Sequence, residues 1–165
     1  MAGSAQAGTF DLFSFAVKRC VAPAAIGRDV DTSGMQRVPA AYRADWESGF
    51  ASAKAYAFPV GSLSSLPVPN PVLVVPRDKN APICRLTHKG LGSGELRKLA
   101  RTFAKRPIVK EDVDLKTSAD GVQTRGFVVT ENARSYVLLV VSVPSLKSNS
   151  VEVFTSRAFA GLGES

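Results

Sequence analysis

At 165 residues, 45% of them hydrophobic and 21% charged, the chain has the size and composition of one folded domain with its own core, outside the disordered range. The longest strong apolar run, Tyr136 to Val143, is strand-sized and well short of the roughly 18 residues that a membrane span needs. One histidine, His88, and two cysteines, Cys20 and Cys84, leave little for a histidine-based triad, a zinc site or a disulfide framework.

The opening MAGSAQAGTFDLFSF lacks a basic n-region, and Asp11 interrupts its apolar segment, so it reads as mature rather than secretory sequence. Thr9 suits the N-cap of a helix from Phe10 to about Val21, with Asp11 near the positive end of the dipole and Lys18 and Arg19 near the negative end. Asp11, Ser14 and Lys18 leave that helix apolar over most of its circumference, which predicts burial in the core or against another subunit. The short, phenylalanine-rich TFDLFSF keeps strand open as the competing reading. VAPAAIGRDVDTSGMQR reads as a loop, and Pro39 opens a second helix to about Ala57 with Tyr42, Trp46, Phe50, Ala53 and Ala57 on one face.

Pro59, Pro67, Pro69 and Pro71 then exclude helix, and the segment 59–71 reads as an internal linker or an arm within a single domain, 1–165. PVLVVP and ICRLTH follow as strands, and Ser93 caps a basic helix that runs to Arg106 with Leu96, Leu99, Ala100 and Phe103 as its buried stripe. IVKEDVDLK, VQTRGFVVT, RSYVLLVVSV and SVEVFTSRAF are strands separated by polar or turn residues. In the first of them, Val109, Val113 and Leu115 should share a face. YVLLVVSV is apolar on both faces and should be central, covered by helices on one side and more protein on the other. The expectation is an α+β fold: two N-terminal helices and one basic helix packed on a mainly antiparallel sheet of about five to six strands.

Charge is the informative feature. Arg85, Lys89, Arg97, Lys98, Arg101, Lys105, Arg106 and Lys110 face one acid, Glu95, so this window carries the whole net excess of +7. Arg97, Arg101 and Lys105 recur every four residues, and with Lys98 they form a row of long cations with no balancing acid at i+4. Such a row is self-repelling in isolation and suited to phosphates. Arg97, Lys98, Arg101, Lys105, Arg106 and Lys89 are the predicted nucleic-acid-binding residues, with the amides after Gly92 as a further phosphate donor.

Other chemistry fits less well. GLGSG lacks the spacing of either phosphate-loop motif, and Cys84 and His88 are about 13 Å apart on one strand, too far for a nucleophile pair. Glu111, Asp112 and Asp114 alternate on a strand and do not all converge. Arg125 and Phe127 form a weak base-stacking candidate. The cysteines lack CxxC spacing and read as free thiols in a reducing compartment.

The functional expectation is a non-enzymatic, nucleic-acid-associated structural or assembly protein, a subunit of a ribonucleoprotein particle or virion shell. It would be cytoplasmic or in the virion, would need no cofactor, metal or small-molecule substrate, and would form a homo-oligomer through helix one or the proline segment, with RNA ahead of DNA as partner. The alternative is an interaction module whose basic helix docks an acidic protein.

Overall fold

Period-two alternation dominates the second half of the chain, and in the computed structural model, which describes residues 11–59, 71–115, 117, 121–144 and 150–158, it forms strands. The strands are β1 (Gln36–Arg37), β2 (Lys54–Ala57), β3 (Val72–Val75), β4 (Cys84–Lys89), β5 (Val109–Leu115), β6 (Gln123–Glu131), β7 (Arg134–Val143) and β8 (Ser150–Arg157). They make one antiparallel sheet in the order β1-β2-β3-β4-β8-β7-β6-β5. Two four-stranded meanders therefore meet at the β4–β8 pair. Among the described residues the sheet has eight strands rather than five or six, because β1 and β2 come from the stretch read as loop and second helix.

Among the described residues, three helical regions accompany the sheet. The first begins with α1 (Leu12–Ala16), capped by Asp11, whose carboxylate accepts from the amides of Phe13 and Ser14 at 3.1 Å each. The expected cap, Thr9, lies outside the described residues. A π-helical segment, Val17–Val21, and then α2 (Ala22–Ala25) follow without a break, so the helix runs through Pro23 instead of ending before it. Proline has no N–H to offer the carbonyl four residues back. The amide of Asp31 takes that carbonyl, Arg19 O, at 2.8 Å. The Arg19 guanidinium in turn donates to the carbonyls of Asp31 and Ser33, at 3.2 and 2.7 Å, and ties the loop to the helix.

The expected helix over 39–57 is reduced to a 3-10 turn, Ala40–Tyr42, and α3 (Arg43–Glu47). After the turn at Ser48 and Gly49, Ala53, Ala55 and Ala57 are buried while Lys54 and Tyr56 are not, a strand pattern that pairs with β3. Glu47 joins the two pieces. Its carboxylate accepts from the amide of Ala55 at 2.7 Å and from Arg37 at 2.9 Å. Burial opposes its ionisation, but these two partners outweigh that and hold its pKa below the usual carboxylate value.

The helix α4 (Ser93–Ala104) connects β4 to β5. It packs with α1 on one face of the sheet around stacked Phe13 and Phe103, 5.1 Å apart, both set edge-on to Phe127 of β6. Leu12, Phe13 and Ala16 are buried within this chain, so this side of helix one is core and unavailable to a subunit contact. Burying each large side chain is worth about 1.5–3 kcal/mol. Cys20 and Cys84, both fully buried, form a disulfide with Cα atoms 6.3 Å apart. This corrects the free-thiol expectation. A pairing across 64 residues leaves no trace in local spacing.

Among the described residues the opposite face is only partly covered. Near β2–β4, Trp46 and Phe50 close a small second core over Val38, Ala55, Val72 and Val74. Arg85 borders it, with its guanidinium over the Phe50 ring and donating to the carbonyl of Trp46, close to Gly49. On β5–β8 the same face presents half-buried Val128, Val137, Leu139, Val141 and Phe154. Val113 and Val143 are 38% and 36% exposed there. Strand β7 is thus interior, with α1 and α4 on one side; among the described residues the only helix on the other side of the sheet is α3, which packs at the β2–β4 end. A bulge between Val109 and Glu111 also puts Val109 on the helix side, away from Val113.

Candidate nucleic-acid interface

Helix α4 is built to show one side. Leu96, Ala100 and Phe103 are buried, and Arg97, Lys98 and Arg101 are exposed. Its N-cap is Gly92, which makes no side-chain cap, and Ser93 is the first helical residue rather than the cap. Lys105, also exposed, is the C-cap residue. At 1.5 Å rise per residue, Arg97, Arg101 and Lys105 step along the helix about 6 Å at a time. None of these four side chains has an ion-pair partner among the described residues.

The remaining two predicted residues separate from this row. Arg106 lies beyond the helix end with its guanidinium 5.8 Å from the centre of the Phe103 ring. Lys89 lies on the opposite face of the sheet, because alternation from buried Leu86 and half-buried His88 turns it away, and its ammonium sits over Trp46 at 5.4 Å. It does not join the α4 row. Arg125 and Phe127 are not a stacking platform either: Phe127 is fully buried, and Arg125 lies over that ring and donates from Nε to Asp112 at 2.8 Å.

Between α4 and the sheet lies a cavity of about 460 Å³ bordered by Arg97, Phe13, Thr124, Arg125 and Ser142. His88 is on the helix side. Burial lowers its pKa, against opposing contributions from the Glu95 carboxylate and the Lys89 backbone. Cys84 is committed to its disulfide, and no cluster of three or more metal-ligating side chains occurs among the described residues.

A group of cations missed by the sequence reading converges elsewhere. Arg28, Lys54, Arg77, Lys79 and Arg157 border one cavity at the end of the sheet where β3 and β8 finish. They come from four distant segments, so no local charge run marks them. No protein-family model matches the chain, and no curated protein or solved structure does either.

Proposed function

We propose that this is a non-enzymatic, nucleic-acid-associated structural protein, a subunit of a virion shell or ribonucleoprotein particle, that holds phosphate backbone on the outer side of α4. The observation that carries the reading is the row Arg97, Lys98, Arg101 and Lys105, exposed and unpaired among the described residues. Gathering like charges along one helix is unfavourable until an anion arrives, and long side chains on an exposed helix reach phosphates without reading bases. RNA is the first candidate.

The assembly half of the proposal rests on the sheet. The valine-rich face of β5–β8, with Leu139 flanked by Phe154 and Gly126, is the surface offered to a second copy. This replaces helix one as the expected contact; the proline segment lies almost wholly outside the described residues. The disulfide favours a shell over a cytosolic particle, since disulfides persist on virion surfaces and are rare in the cytosol.

Absorbance ratio and light scattering of the protein purified without nuclease test both halves. The proposal expects co-purifying nucleic acid that high salt removes, and a mass several times 17.5 kDa. A nucleic-acid-free monomer contradicts it.

A further inference from the structure

The cavity bordered by Arg28, Lys54, Arg77, Lys79 and Arg157 has a volume of about 500 Å³, inside the range of small-molecule sites. Its acids among the described residues are Asp29 and Asp78, and Asp78 already accepts from the amide of Asn80 at 2.9 Å. None of the five cations has an ion-pair partner among the described residues. Lys54 is half-buried, whereas Arg28, Arg77, Lys79 and Arg157 are exposed. Converging cations of this kind raise the local positive potential and attract anions.

Charge alone does not choose the anion; Tyr56 does. Its half-buried ring borders the cavity and makes no ring contact or hydrogen bond among the described residues. A phosphate needs no aromatic partner, and a base stacks on one. The walls are held together as well, since Ala24 and Ile83 border the cavity and the Cys20–Cys84 disulfide ties their two segments. We infer that this cavity is a site for a nucleotide unit, with the phosphate on the cations around Lys54 and Arg157 and the base against Tyr56. For a strand as the source of that unit, the inference rests on the nucleic-acid reading above; a free nucleotide offers the same chemistry.

Titration of the whole protein with adenosine 5′-monophosphate, inorganic phosphate and adenosine, followed by amide chemical shifts, tests the cavity independently of α4. The monophosphate should bind more tightly than phosphate or adenosine. Lys54→Gln/Arg157→Gln should weaken it by about tenfold or more, as losing two charge-assisted contacts implies. Tyr56→Leu should erase its advantage over phosphate. Arg77→Gln/Lys79→Gln, on an exposed loop, provides a second variant should the first fail to fold.

Competition with a single-stranded RNA of about twelve nucleotides then identifies the source: displacement of the monophosphate assigns the site to a strand, and its absence assigns it to free nucleotide. Arg97→Gln/Arg101→Gln separates the two surfaces, because loss of RNA binding with monophosphate binding intact implicates α4 and leaves the cavity assignment standing. No binding of the monophosphate, binding indifferent to both cavity variants, or preference for an oligoglutamate peptide overturns the inference.

Discussion

Removing the Cys20–Cys84 bridge should cost more stability than most single changes to this fold. The two residues enclose a loop with a sequence separation of 64, for which the chain-entropy relation gives about 4 kcal/mol of stabilisation through the unfolded state. Domains of this size are commonly stable by only about 5–15 kcal/mol, so Cys20→Ala/Cys84→Ala should remain folded in water but with much of its margin gone. With a denaturant slope near 2 kcal/mol per molar urea, the midpoint should fall by about 2 M. The single tryptophan, Trp46, is half-buried and reports the transition by its fluorescence. Wild-type protein in reductant should follow the variant. An unchanged midpoint, or two alkylatable thiols in the native oxidised protein, would refute the reasoning.

The β6–β7 hairpin turns at Asn132 and Ala133, with φ of 50° and 61°. Ala133→Gly should relieve a left-handed alanine at about 1–2 kcal/mol, partly offset by glycine's entropy, for a net gain of about 0.5–1 kcal/mol in urea unfolding. His88 is held below its ordinary pKa of 6.5, so the unfolded chain binds its proton more readily. Its effect on stability is absent above about pH 6.5 and grows as pH falls below that value; urea midpoints at stepped pH should show the decline, and His88→Gln should flatten it. Leu139→Glu, placed in the middle of the sheet face proposed to meet a second copy, should lower the assembled mass in sedimentation at micromolar protein while leaving the circular dichroism unchanged.

Most of the sheet was legible because β3 to β8 carry strong strand patterns, and α4 because Leu96, Ala100 and Phe103 recur at helical spacing. ASAKAYA misled because alanine and lysine favour helix while their alternation favours strand, and pairing with Val72–Val75 decides it. The first helix outruns its expected end near Val21 because the amide of Asp31, which takes the carbonyl that Pro23 leaves without a donor, is remote in sequence from that position. The α4 row was visible as a four-residue repeat. Lys89, close to it in sequence, lies apart from it because strand alternation sends its side chain to the other face. The second cationic cavity and the disulfide depend on tertiary convergence, which neither spacing nor composition encodes.

The salt dependence of RNA binding tests the central claim most directly. Anisotropy of a labelled single-stranded RNA, titrated between about 50 and 300 mM salt, gives the number of phosphates neutralised from the slope of log affinity against log salt. If the outer side of α4 holds phosphate, Arg97→Gln/Arg101→Gln should weaken binding at every salt concentration and make the slope shallower by about 1.4, the contribution of two single-strand phosphate contacts. Equal affinity and equal slope for wild type and variant, or no RNA binding at the lowest salt, would contradict the account.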